Sequence, residues 1–306
     1  MVTPPLTPKK QGLSVKSSFI GLIRSIKYNK TLTLGIFLFV MILVMALFAD
    51  VISPYSYDER FPSLRFAPPS LEHPFGTNLL GYDVLARVIY GARIALLMAF
   101  SGTILAYIFG IPLGVLSGYF GGKMDRLLTL IADAIYSFPS LLFAIVFAIY
   151  LAAFGILKTV AAVSFATAVV YIPTYFRVVR AQVLQIKKEG YVDAAKTMGA
   201  GRLTILLRYI TPNILASTIA IIPFNMTDAI LTNAGLAFLG LGIQPPTADW
   251  GYDVYENRSL SRVRTYPWLI FFPGLMIFVL SFAFSLIGDA LNDKFNPLIS
   301  RRNNAK

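Results

Sequence analysis

The sequence predicts an all-α integral membrane protein with six transmembrane helices. Three observations predict it. Of 306 residues, 56% are apolar and only 14% charged, well below the roughly 25% charged that soluble domains carry. Several runs of about twenty residues lack Asp, Glu, Lys and Arg, the length needed to cross a bilayer as a helix. The bases also gather in alternate connecting segments, as they do where cytoplasmic loops are positive.

The elements follow in order. Residues 1–30 carry Lys9, Lys10, Lys16, Arg24, Lys27 and Lys30 without an acid, and Met1–Lys10 holds three prolines and two lysines. This reads as a disordered cytoplasmic tail. The first span covers 31–52. A basic stretch before an apolar run also suits a signal peptide, but the apolar core is too long and no A-x-A site follows, so an uncleaved anchor is expected. An external loop (53–92) leads to a second span (93–120). The third and fourth spans cover 128–152 and 158–177, divided by a tight turn at Leu157–Thr159. A cytoplasmic loop (178–212) precedes the fifth span (213–242), an external loop (243–266), the sixth span (267–290) and a cytoplasmic tail (291–306). Arg177 to Arg208 carries seven bases against Glu189 and Asp193, whereas both external loops are nearly balanced. Charge bias and span count thus agree on both termini inside.

Composition excludes several functions. There is no cysteine, and His73 is the only histidine, which removes thiolate nucleophiles, disulfides and nearly all common zinc geometries. The net charge of +12 is that of cytoplasmic loops rather than of a nucleic-acid face. No G-x-x-x-x-G-K-[ST] occurs, since Gly122-Lys123 is followed by Met124 without a glycine at the required offset.

Within the second span, Gly110, Gly114, Gly118 and Gly122 recur every four residues. That spacing predicts a helix-packing seam, with Pro112 beside it as a local kink. The cytoplasmic loop shows two short helical patterns separated by Gly199-Ala200-Gly201. Tyr191, Ala194, Ala195 and Met198 form one face of the first, opposite Glu189, Asp193 and Lys196. Leu203, Leu206, Leu207 and Ile210 repeat the spacing in the second. Gly199 is expected to close the first helix in a left-handed conformation, and Pro212 to stop the second before the fifth span. Such a pair can lie on lipid, pack on its own bundle or dock into a partner; periodicity alone leaves all three open.

The run Asp193-Ala194-Ala195, three residues, Gly199, twelve residues, Pro212 resembles the EAA loop of permease subunits in bacterial and archaeal ABC importers. It departs from the common form in Asp193 for Glu, Tyr209 for Ile and Thr211 for Leu. Four further stretches resemble the dipeptide, oligopeptide and nickel permease branch: HPFGTNLLGYDVLARVIYGAR from His73, SFPSLL from Ser137, LAFLGLGIQPPTADWG from Leu236 and PWLIFFPG from Pro267. Here Asn78, Tyr82 and Ala86 replace the more usual Asp, Arg and Ser, and Asn233 stands where Glu is frequent.

The resemblance implies a type I ABC importer permease in a prokaryotic cell membrane. Two such permeases form a pore, each loop sits in a groove of one of two cytoplasmic ATPases, and a substrate-binding protein delivers solute outside. The chain itself would hold no cofactor, with ATP and Mg bound by the ATPases. By that resemblance Glu189, Tyr191, Asp193, Ala194, Ala195, Met198, Gly199, Arg202 and Pro212 carry the coupling. Relatives of this kind import peptides, nickel complexes or, in some archaea, oligosaccharides, and peptides are the expected cargo.

Two polar residues stand out in the fifth apolar segment. Asp228 lies near its middle, where a charge costs about 2.5–3.5 kcal/mol on insertion scales, so it should face the pore or a partner and is expected to line the translocation path; the alternative is an Asp228 protonated or hydrogen-bonded within the bundle, with no transport role. Asn233 is a second candidate for the path. Asp133 suggests a helix-terminal structural role at the cytoplasmic end of the third span. The external segment Pro245–Arg264 reads as a solvated loop, with contact to the delivery protein as the alternative. The rival function is an ion-driven secondary transporter, but no matching repeat of broken helices is found. An intramembrane enzyme would need a clustered catalytic set, and the single histidine lies in an external loop.

Overall fold

The computed structural model describes residues 29–153 and 159–295. The N-terminal tail, the turn at Leu157–Thr159 and most of the C-terminal tail therefore lie outside the described residues, apart from the ends that adjoin them. The described residues are helical and form no sheet. Five helices are long and apolar enough to cross a membrane, and a bent pair makes six.

Helix α1 (Lys30–Leu47) begins where the Asn29 side chain accepts a hydrogen bond from Leu32 N, and one further turn, Ala49–Ile52, continues it. Helix α2 spans Val84–Phe120, starting earlier than the expected 93. Asp83 caps it, its Oδ1 accepting from Ala86 N at 2.7 Å. The extra turns hold Arg87, which the sequence reading left in the loop, and Arg93 stands where the expected span began. Each is neutralised from a distant segment, Arg87 by Asp253 and Arg93 by Asp50.

The expected third span is not one straight helix. α3 (Gly122–Tyr136) and α4 (Ser140–Ala153) meet at 93°. Pro139 accounts for the break, because it disfavours helical dihedrals at Phe138 and has no N–H to donate. α5 (Thr159–Ile186) continues past 177, so the first part of the expected cytoplasmic loop is the end of this helix. After α6 (Gly190–Thr197), α7 runs as one helical rod over Arg202–Phe238. Two short helices, α8 (Trp250–Asn257) and α9 (Leu260–Thr265), precede α10 (Trp268–Phe295).

The rigid heart of the molecule is the α2–α5 pair. A Cβ on Gly110 would meet Tyr175 Cβ at 2.6 Å, one on Gly114 the Phe176 carbonyl oxygen at 2.7 Å, and one on Gly118 Val183 Cβ at 2.7 Å. Only bare backbone fits at these crossings. Gly122 does not belong to this seam. It starts α3 after the helix has ended, has φ +66°, and has nothing within 4 Å. On the other flank α1 lies on α10, where a Cβ on Gly35 would come within 3.0 Å of the Ala283 carbonyl oxygen.

Candidate functional site

α6 and the first turns of α7 divide their apolar residues between two sides. Val192 and Ala195 of α6, with Ile205, Leu206 and Ile210 of α7, are buried against Ile111, Val115, Val179 and Val183 of the α2–α5 pair. Tyr191, Met198, Leu203 and Leu207 are 43%, 78%, 67% and 63% exposed, and Ala194, Glu189, Asp193 and Arg202 are exposed beside them. This corrects the face assignments read from periodicity, which grouped Ala195 with Tyr191 and Leu206 with Leu203. The reason in α7 is that Ile205–Ile210 is π-helical, and an i→i+5 ladder brings Ile205 and Ile210 to one side.

Pro212 likewise does not stop a helix. It cannot donate a helical hydrogen bond and crowds the turn before it, and the π segment immediately upstream absorbs that defect so the rod continues into Thr211–Thr218. Gly199 closes α6 with φ +83°. Ala200 N donates to the Ala195 carbonyl at 3.0 Å and Gly199 N to that of Lys196 at 2.9 Å, the paired bonds of a glycine C-cap. The turn is tied to α7 by Asn213 Nδ2, which donates to Tyr191 Oη at 3.3 Å. The result is one rigid projection, bonded to the bundle on one side and presenting apolar groups on the other.

A second feature is the α3–α4 break, which opens a cavity of about 620 Å³ against α5 and α7. Tyr136 Oη meets Thr174 Oγ1 at 2.8 Å, and Tyr171 Oη meets Thr232 Oγ1 at 2.8 Å. Asn225 and Asp228 of α7 line the same space. Asp228 is exposed to it and has no ion-pair or hydrogen-bond partner among the described residues. Asn233 is placed elsewhere: its Oδ1 accepts from Thr167 Oγ1 of α5 at 3.2 Å, and it does not line the cavity. The spacing from Asp228 to Asn233 is five residues, too far round an α-helix for a shared face. At the cavity's edge, the Arg177 guanidinium covers the Tyr136 ring at 4.0 Å and pairs with Asp133 at 2.7 Å. Asp133 lies in the last turn of α3, where the helix dipole disfavours an acid, and its ion pair offsets that. Sequence reading missed Asn225, Tyr136, Tyr171, Thr174 and Thr232. Neutral polar residues in apolar runs carry no signal until the break brings them together.

The third feature lies at the start of α2. Arg87 is buried, its Nε donating to Asp253 Oδ1 at 2.7 Å and its Nη atoms to the carbonyls of Pro246 and Thr247 at 3.3 and 3.2 Å. Trp250 Nε1 donates to the Val88 carbonyl at 2.9 Å, and the indole lies flat enough on α2 that a Cβ at Gly91 would meet it at 2.5 Å. Asp249 caps α8 by accepting from Tyr252 N. Burial, and then the charge of Asp253, push the Asp249 carboxyl up to about 7. Trp250, Asp253 and Asn257 are all buried, so Pro245–Arg264 is not throughout the solvated loop expected. The part up to Asn257 is a clasp that locks α8 onto the start of α2, whereas residues 258–264 are mostly exposed, as expected of a solvated loop. His73 is similarly built in, its Nδ1 2.8 Å from Asp83 Oδ2 and its ring between Tyr55 and Phe61.

Comparison with known proteins places this architecture. Residues 110–301 match the model of the binding-protein-dependent transport system inner membrane component, and residues 18–69 that of the N-terminal transmembrane domain of oligopeptide transport permease C. The dipeptide transport system permease protein DppC of Alkalihalophilus pseudofirmus is 34% identical over 294 residues, 96% of this chain and 94% of that one. The oligopeptide transport system permease protein OppC of Bacillus subtilis is 34% identical over 273 residues, 89% of this chain and 87% of its own. A peptide transport system permease protein of Brucella abortus is 36% identical over 282 residues, 92% and 93% of the two chains. This multi-pass chain, matched over most of its length in this way, belongs to the family of inner-membrane components of binding-protein-dependent transport systems.

Proposed function

We propose that this chain is the transmembrane permease subunit of an ATP-driven importer of di- or oligopeptides, forming half of the translocation path and coupling it to cytoplasmic ATPases. The observation that carries the reading is the exposed row Tyr191, Met198, Leu203 and Leu207, on a projection whose opposite side is buried in the bundle. Large apolar groups exposed together on a rigid element mark a protein interface. Glu189, Asp193 and Arg202 rim the row and would set its orientation on the partner. ATP and Mg belong to that partner, since this chain carries no phosphate-binding loop. The peptide relatives support the cargo, and a second permease and an external binding protein complete the assembly.

In mechanism, ATP binding closes the ATPases and drags the projection. α7 is continuous from Leu203 to Phe238, so displacement at its cytoplasmic end reaches Asp228 without a flexible joint. Access to the cavity then alternates between the two sides by rigid-body tilting. Both termini are cytoplasmic in this arrangement.

The test is to purify the tagged protein in mild detergent and identify what accompanies it, for the wild type and for Gly199→Val. The expected result is a second permease and two ATPases with the wild type, lost or uncoupled in the variant. A wild-type chain that ran alone and moved solute without ATP would overturn the reading in favour of a secondary transporter.

A further inference from the structure

We propose that the cavity at the α3–α4 break binds the protonated amino terminus of a peptide, with Asp228 as its counter-ion. The inference rests on the importer reading above and names the group that the path recognises. Its starting point is a contrast among the acids of this region. Asp125 is held by Arg180 at 2.5 Å and Asp133 by Arg177 at 2.7 Å, whereas Asp228 faces the cavity with no cation among the described residues. An intramembrane carboxylate is costly and is kept only where something offsets it. No described residue supplies that cation, and a bound ligand would.

The rest of the cavity describes the molecule that brings the cation. Its volume of about 620 Å³ lies in the range of small-ligand sites, roughly 300–1,000 Å³. Around Asp228 stand neutral hydrogen-bonding groups, among them Ser140, Thr174, Asn225 and Thr232. These can pair with backbone amides of any peptide sequence, because each offers both a donor and an acceptor. The Tyr136 and Tyr171 rings add faces that attract an ammonium group. Nothing else in the lining carries a charge. One fixed anion among neutral groups reads the two features that all peptides share, a terminal ammonium and a run of amides, and ignores side chains. A bare metal ion would instead require several oxygen ligands at about 2–2.6 Å, and only one carboxylate is present.

The absence of cysteine from the chain gives a clean test. Ser140→Cys places a unique thiol of near-native size on the cavity wall. In the purified complex, the rate of its modification is measured with a cationic and an anionic methanethiosulfonate reagent of similar size, reading the label on this subunit's band. Asp228 should favour the cationic reagent by about tenfold, and Asp228→Asn should remove most of that preference while Asp228→Glu keeps it. Trialanine should protect the thiol and N-acetyl-trialanine should not. Because the peptide comparison needs no change at Asp228, it stands even where Asp228→Asn fails to fold.

Three results would overturn the proposal: labelling blind to charge, equal protection by both peptides, or a thiol reachable on the isolated subunit and covered in the complex. The last would assign Asp228 to a cationic side chain of the second permease. ATP-driven uptake by the same complex is scored separately. Uptake with charge-blind labelling leaves the importer reading intact, and absence of uptake by the unmodified complex refutes that reading whatever the labelling shows.

Discussion

Replacing Arg87 by methionine isolates the energetics of the clasp between α8 and α2. The side chain is 1% exposed, and its five N–H donors are spread over Asp253 at 2.7 Å and the carbonyls of Pro246 and Thr247 at 3.3 and 3.2 Å. Methionine keeps most of the volume and deletes the charge. Asp253 is then buried without a partner, Asp249 loses its only nearby cation, and two carbonyls lose their donors. Breaking one side of a buried pair costs about 3–5 kcal/mol. The acids set a pH dependence. In the folded protein the Asp249 carboxyl is raised, to about 7, chiefly by burial and then by Asp253, and burial also raises that of Asp253. A carboxyl raised in the folded state contributes stability that is present below its unfolded value and is lost as pH rises through its folded value. With Arg87 gone both values rise further, so the deficit of Arg87→Met should be smaller at pH 6 than at pH 8. The double variant Arg87→Met with Asp253→Leu removes the pair together and should recover most of the loss, as exchange of whole buried pairs for apolar groups often does. The assay is thermal unfolding of the purified protein in mild detergent at both pH values. A single variant as stable as the wild type, or a double variant worse than the single, would refute this account.

Three further outcomes are expected. Gly114→Leu should abolish accumulation of folded protein, because even a Cβ there would meet the Phe176 carbonyl oxygen at 2.7 Å and Val179 Cβ at 2.8 Å; Gly122→Asn should accumulate normally, with nothing within 4 Å and a residue that tolerates positive φ. Both are read by fluorescence-detected gel filtration. At Gly199, φ +83° with open space around it means that substitution strains the backbone by roughly 1–2 kcal/mol without a clash, so ATP-driven uptake should fall in the order Gly, Asn, Val. Met198→Ser with Leu207→Ser should leave the chain's own melting temperature nearly unchanged, as exposed substitutions do, yet lose the ATPases on purification; Ile210→Ser, at a fully buried site, should destabilise the chain itself.

The sequence carried the helix count, the charge of Asp228 and the glycine cap of α6, because each is a local property of composition or spacing. What it did not carry was local only in appearance. Arg87 and Arg93 look like the end of a span, and they become part of one through Asp253 and Asp50, which lie 166 and 43 residues away. The four-residue glycine period ran one step too far, to Gly122, although the Gly121-Gly122 doublet is itself a turn signal and both have positive φ. Pro139 lay inside a span read as one helix, and the 93° angle it introduces makes the cavity. In α7 the faces of the projection were misassigned because a 3.6-residue period was applied across a π-helical segment.

That segment also bears on how force would pass through the molecule. Under the proposed coupling role, a pull on Leu203 and Leu207 must reach Asp228, some twenty-odd residues and roughly 30 Å along α7. The rod has two irregularities, the π turn Ile205–Ile210 and the 3₁₀ turn Ile219–Ile221. The π turn is bonded into the bundle through Ile205 and Ile210, which are buried on α2 and α5, so it is clamped rather than free to uncoil. α2 and α5 are in turn locked by glycine crossings with no room for adjustment. The projection and the α2–α5 pair therefore move as one body, and the joint must lie elsewhere. The α3–α4 break is the place where two helices meet without a continuous ladder, and it borders the cavity. Tilting of the α2–α5–α7 body against α4 would open or close the space around Asp228 while leaving every buried hydrogen bond of the rigid body in place.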